Sequence, residues 1–333
     1  MRGKSWIFCA LVASAAAARA QERFVEAPAR DVPVIGHVDV VVVGGSEGGM
    51  AAAWQAAKLG ARVMLLTEDT FLGSEVTAKG HFDLKGGPEP KTAFSRALFK
   101  EMTPSRYPVV ASELLRDAGV SFLYNTRHGG VLADAQGRLC GVVTANKAGL
   151  QAVVAKVVID ATCAGAVADA AGATRAPWQV KTLAVSRPRA SEDGKTREMI
   201  TLEAPMPSFS WPWINRAESA LREEWHVFVS GPFAHCMDFT LPNPVLCEAS
   251  LEGGALPEAE GLDLNVFKPK GTERLYVIGS SCGVSREAVK ALMHPVRLAE
   301  AGERLGGAAA AEARRVALPA DEAIAVKAAA PAG

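Results

Sequence analysis

Apolar positions along this chain come in short blocks that alternate between strand-like runs and helix-like spacing. Val38–Val43 is a nearly continuous apolar run, as expected of a parallel strand covered on both faces. Glu47–Leu59 is alanine-rich with helical spacing, and Gly60 stands where a left-handed residue would end that helix. Arg62–Thr67 is a second apolar run. Helices are predicted over Lys91–Met102 and Val109–Gly119, followed by a short strand at Val120–Tyr124. A meander is predicted next, from Gly130–Leu132, Cys140–Asn146 and Ala152–Asp160, with turns at Asp134–Gly137 and Ala148–Gly149. Residues 161–171 return to a helical pattern. A late strand at Arg274–Ile278 precedes a helix-rich stretch, Ser285–Gly306, broken at Pro295 and continued by Gly307–Arg315. Residues 69–90 hold six glycines and prolines and form a loop long enough to suggest a function.

The order strand, glycine turn, helix, strand, acid is concentrated between Val38 and Glu68 (VDVVVVGGSEGGMAAAWQAAKLGARVMLLTE). It is the order of a dinucleotide-binding half, and it points to a redox cofactor rather than a phosphoryl donor. Gly44 sits where the strand turns and positive φ is needed, and Gly49 where helix and strand must pack closely. Ser46 takes the middle position, small enough for the backbone to approach a pyrophosphate and able to offer its hydroxyl. Gly45 and Gly48 add room. The helix N-terminus carries N–H groups and a partial positive charge suited to a diphosphate, which Glu47 would oppose unless it points to solvent. Glu68, 24 residues after Gly44, can accept the hydroxyls of an adenosine ribose and would repel a 2′-phosphate.

Composition narrows the partners. The 333 residues carry 36 basic and 36 acidic side chains and no basic run, which argues against nucleic acid. Aromatic residues make up 6%, too few for a β-sandwich or propeller. Arg2 and Lys4, the apolar stretch Trp6–Ala18 and the Ala18-Arg19-Ala20 site predict a signal peptide cleaved before Gln21, hence a periplasmic or secreted protein. The stretch is too short for a stable membrane span. Its removal leaves 33 basic against 36 acidic side chains, and five cysteines: Cys140, Cys163, Cys236, Cys247 and Cys282. None are spaced as C-x-x-C, so no metal or iron–sulfur centre is expected. Cys236 and Cys247 could pair in an oxidising compartment.

Three later segments distinguish the cofactor: Leu72–Thr77, Ala155–Ala173 and Leu275–Cys282. Together with the first unit they resemble the FAD-dependent oxidoreductases that include secreted, xanthan-lyase-like flavoproteins of the glutathione-reductase type. The resemblance spans roughly 38–173 and 265–312. It implies an α/β fold: a Rossmann-like FAD-binding domain with a parallel sheet, an inserted β-meander and a reduced mixed second domain. The expected division is a signal peptide at 1–20, the FAD-binding domain at 21–172 and 271–315, a substrate or cap domain at 173–270, and a disordered tail at 316–333. Leu72-Gly73-Ser74 corresponds to the family's L-G-G segment, which implies contacts from Gly73 and Ser74 near the pyrophosphate and isoalloxazine. Ile159-Asp160-Ala161-Thr162 corresponds to I-D-A-T, which implies roles for Asp160 and Thr162. Cys163 and Ala164 replace the glycine and acid that follow. Gly279 and Ser280 would approach the ribityl chain and phosphates, with serines where the family carries a late acid.

Such a protein would be an exported FAD-dependent oxidoreductase. It would move a hydride from a small organic substrate, carbohydrate-derived ones included, and pass electrons to an acceptor. An NAD-linked reductase on the same unit, or a flavin-fold relative without chemistry, are the alternatives. A link to heterodisulfide-reductase-like flavoproteins lacks the cysteine motif for their clusters. Of the possible acids and bases, His81 after the long loop is the candidate. His235, Cys236, Cys282, Arg286 and His294 read more simply as structural residues. Trp211 and Trp213 read first as packing residues.

Overall fold

Valine runs and alternating burial build the sheet. In a computed structural model, residues 31–78, 80, 82–84, 87–178, 182–190, 197–205, 207 and 243–327 are described. Five strands run parallel in the order β3-β2-β1-β6-β9. They are β1 (Val34–Val43), β2 (Val63–Leu66), β3 (Ser121–Leu123), the second half of β6 (Gly149–Asp160) and β9 (Leu275–Val277). The first half of β6 turns into an antiparallel meander with β5 (Leu139–Asn146) and β4 (Arg127–Ala133). The expected α/β fold with a parallel sheet and inserted meander is the one observed.

Several boundaries shift. The first strand starts at Val34 rather than Val38, because its pairing with β6 continues back to Ala152. The tail, expected to be disordered, contributes β10 (Ala325–Lys327), which pairs with β4 although all three residues are exposed. Its order comes from main-chain pairing, which leaves no apolar pattern to read. Within the segment expected as a second domain, β7 (Thr182–Ala190) and β8 (Arg197–Pro205) form a two-stranded antiparallel sheet. Residues 243–251 return beside the segment after β9, with Val245 N–H donating to Ser281 O and Leu251 N–H to Gly283 O, both near 2.9 Å or less. Trp211, Trp213, Trp225, His235 and Cys236 lie outside the described residues, as does the proposed signal peptide.

Among the described residues the α-helices are α1 (Glu47–Lys58), α2 (Ala93–Leu98), α3 (Tyr107–Asp117), α4 (Ala166–Ala171), α5 (Arg286–Leu292) and α6 (Pro295–Ala313). The predicted break at Pro295 is present: α5 ends at Leu292 and Pro295 begins α6, where a first-turn position needs no N–H. Val40, Val42, Leu65 and Ile159 face one apolar layer with α1, α3 and α6; Val41, Val43, Leu66 and Val158 face another with the meander and α4. Each fully buried side chain of this size contributes about 1.5–3 kcal/mol.

Helix α6 packs on α1 through small residues. A Cβ on Gly302 would stand 2.2 Å from Gly48 O, and one on Gly306 2.2 Å from Ala52 O. The same helix secures α2 from the side. Glu300 accepts from Lys91 N–H at 2.7 Å and Glu303 from Phe94 N–H at 3.2 Å.

Candidate functional site

The parallel register brings the strand ends into line. Leu123, Leu66, Val43, Asp160 and Val277 are paired neighbours across the five strands. The residues that follow them, including Gly44–Ser46, Glu68, Thr162, Gly279 and Ser280, therefore share the carboxyl edge of the sheet. That edge, where strand order reverses about β1, is where open α/β sheets bind ligands.

At the first strand end, Gly44 has φ +115, and a Cβ there would meet Ala161 O at 2.2 Å. Gly49 is equally constrained, its Cβ position lying 2.3 Å from Gly44 O. These two glycines close the gap between the ends of β1 and β6. The Ser46 hydroxyl caps α1, accepting from Gly49 N–H at 3.2 Å and donating to Ala161 O at 3.4 Å. It is thus engaged within the turn rather than held out toward a phosphate.

Glu47 does not point to solvent. It is fully buried, and its carboxylate accepts from Glu75 N–H and Val76 N–H, each at 3.0 Å, and from Tyr107 Oη at 2.8 Å. Burial, with the nearby Glu75 charge, pushes its carboxyl up to about 7 despite these donors. Burial and the Glu47 charge in turn hold the Tyr107 phenol well above its ordinary value. Glu75 and Val76 lie in a single π-helical turn, Ser74–Ala78. Gly73, at φ +79, leads into this turn and donates its N–H to Gly45 O at 2.8 Å. A side chain on Gly73 would run into the Tyr107 ring at 2.5 Å. Nothing in the residue spacing links Glu47 to Tyr107, which lie 60 positions apart.

Asp160 is also fully buried. It accepts from Thr162 N–H at 3.0 Å, Thr162 Oγ1 at 2.6 Å and Ala168 N–H at 2.8 Å, and burial raises its pKa. It holds the turn between β6 and α4 from beneath and reaches no surface. Cys163 within that turn is exposed, and its carbonyl accepts from Ser280 Oγ at 2.5 Å. Arg175 reinforces the turn, donating to Ala164 O and pairing with Asp169 at 2.6 Å. Cys140, Cys247 and Cys282 are buried thiols; burial pushes the first two up to about 11 and the third higher still, so packing describes them better than redox work.

Glu68 stands exposed beyond β2 with Arg127 Nε at 3.2 Å. Arg127 was not singled out by the sequence, although it opens β4 beside the expected ribose acid. Arg286 lies over the Trp178 ring, 5.1 Å from its centroid, and donates to Asn243 Oδ1 at 2.7 Å. His81 lies outside the described residues.

The edge has features that suit an elongated diphosphate cofactor. Gly279 is held at φ +119 with no atom within 4 Å of where a Cβ would stand, which leaves room beside the strand end. The buried Ser281 Oγ has no hydrogen-bond partner among the described residues. Among the described residues there is no cluster able to hold a metal ion and no helix long and apolar enough to cross a membrane.

Residues 39–180 match a family model described as FAD dependent oxidoreductase. No curated protein matches the chain. Among solved structures it is similar to a geranylgeranyl bacteriochlorophyll reductase-like protein from Thermoplasma acidophilum, at 14% identity over 84% of this chain and 79% of that one, with a TM-score of 0.49. It is also similar to p-nitrophenol 4-monooxygenase from Pseudomonas putida, at 15% identity over 84% and 82% of the two chains, with a TM-score of 0.44.

Proposed function

We propose that the chain is an exported FAD-dependent oxidoreductase that takes a hydride from a small organic substrate, a reading supported by the match of residues 39–180 to the family model. The observation that carries this reading is the alignment of Gly44, Glu68, Thr162 and Gly279 along one sheet edge. FAD, when bound, supplies the two-electron chemistry, and the protein supplies binding, orientation and the surrounding charge. In this reading Gly44, Gly45, Gly48 and Gly49 let the backbone and the α1 N-terminus meet the diphosphate. Glu68 exchanges Arg127 for ribose hydroxyls. Gly73 and Ser74 flank the cofactor from the following turn, and Gly279 and Ser280 from the late strand. Asp160 and Thr162 keep the intervening turn in place. Export and the family resemblance favour a carbohydrate-derived substrate, with a separate acceptor for the electrons.

The test is the visible spectrum of the purified mature chain. Oxidised-flavin bands that bleach anaerobically with a substrate are expected. A colourless protein that binds NAD would replace this reading with a nicotinamide reductase. A protein that binds neither would make it a fold relative without redox chemistry.

A further inference from the structure

An acid in the first turn of a helix that faces a diphosphate ought to hinder binding, and burying it adds a desolvation cost. Glu47 is nonetheless enclosed completely, and three donors from two other parts of the chain converge on it. Two are consecutive main-chain N–H groups of the Ser74–Ala78 turn, and the third is the Tyr107 hydroxyl of α3. Phe82 and Phe99 pack around the Tyr107 ring, with centroids 6.2 Å away, and restrict where its hydroxyl points. The turn is tied to the glycine segment at a second point, by Gly73 N–H to Gly45 O.

We propose that Glu47 is a positioning residue: its carboxylate fastens the Ser74–Ala78 turn to the start of α1 and so sets the distance between the two walls of the cofactor groove. The inference rests on the FAD reading for its consequence, but not for the attachment itself. Each of the three bonds described at the carboxyl is one it accepts. A neutral amide in place of the carboxylate would turn an N–H2 group toward one of three donors, leaving two donors face to face. The through-space charge opposes a diphosphate, whereas the attachment assists it; Glu47→Gln removes both, so the sign of its effect tells them apart.

The experiment compares the full mature chain with Glu47→Gln and Tyr107→Phe, reading FAD affinity, the position of the flavin absorption bands and hydrogen exchange at the Glu75 and Val76 amides. Glu47→Gln is expected to weaken FAD by about tenfold, shift the bands and expose both amides while β6 amides stay protected. Tyr107→Phe, which leaves two of the three donors, should weaken FAD by about threefold with the same band shift. Equal or tighter FAD binding by Glu47→Gln, with unchanged bands, would overturn the proposal and leave Glu47 as a charge beside the phosphates. If Glu47→Gln does not fold, Tyr107→Phe decides on the same readouts. If the wild-type chain takes up no FAD, the functional reading fails, and exchange at Glu75 and Val76 alone decides whether Glu47 holds the turn.

Discussion

Two buried carboxylates support the same sheet edge, and they do so by opposite routes. Asp160 accepts from residues two and eight positions ahead, so its turn is built within one stretch of chain. Glu47 accepts from residues 28, 29 and 60 positions ahead and joins three separate elements. Each acid takes two backbone N–H groups and one hydroxyl, and burial raises both. The difference lies in reach: Asp160 shapes a turn, whereas Glu47 sets one element's place against another. A local carboxylate can form its bonds as soon as its own segment turns, while a bridging one depends on the packing of the whole layer.

The largest expected effect comes from removing the local acid. Asp160→Ala strands the buried Ala168 N–H and two partly buried donors of Thr162 and should cost about 3 kcal/mol, read as a lowered denaturant midpoint with β6 and α4 loosening together. The bridging acid differs in how it responds to pH. Its folded pKa of about 7 lies above the ordinary 4.5, so the folded state holds the proton more tightly than the unfolded chain. Its contribution to stability is therefore full below pH 4.5 and is lost as pH rises to about 7. Relative to Glu47→Gln, the wild-type protein should lose up to about 3 kcal/mol between pH 5 and pH 8, measured by parallel urea titrations. A constant difference across that range would mean that Glu47 titrates normally.

Smaller effects sharpen the contrast between the two hydroxyl donors. Thr162→Val and Tyr107→Phe each remove one bond to a buried carboxylate, and each should cost about 1–2 kcal/mol in thermal or chemical unfolding. Hydrogen exchange should then loosen the 160–168 turn in the first variant and the distant 73–78 turn in the second. The exposed pair at the rim is the weakest case. Arg127→Ser should leave stability within about 0.5 kcal/mol, because Glu68 and Arg127 are both solvated, while the salt dependence of adenine-nucleotide binding changes.

The same contrast of reach explains what could be read from the residues alone. The β1–α1–β2 unit was legible because its signals are consecutive: a valine run, glycines where Gly44 and Gly49 leave no space for Cβ, a serine cap and Gly60 at φ +86. The Ile159–Thr162 segment was legible for the same reason. The burial of Glu47 was not legible because its donors come from elsewhere in the chain. The predicted helix at Lys91–Met102 contracts to Ala93–Leu98, since the Thr92–Ser95 capping box starts it and the chain turns at Phe99. The spacing Gly302-x-x-x-Gly306 carries no direction without a partner helix; Gly48 and Ala52 supply one.

The seating of Gly302 and Gly306 on Gly48 and Ala52 also governs timing. The nucleotide half opens the fold, yet the face of its first helix is sealed by a helix that emerges about 250 residues later. During synthesis, β1, α1 and β2 would emerge early with that face still wet. The cradle at the front of the chain can reach its final shape only when the back of the chain arrives, so folding competence is carried by a segment remote from the site it completes.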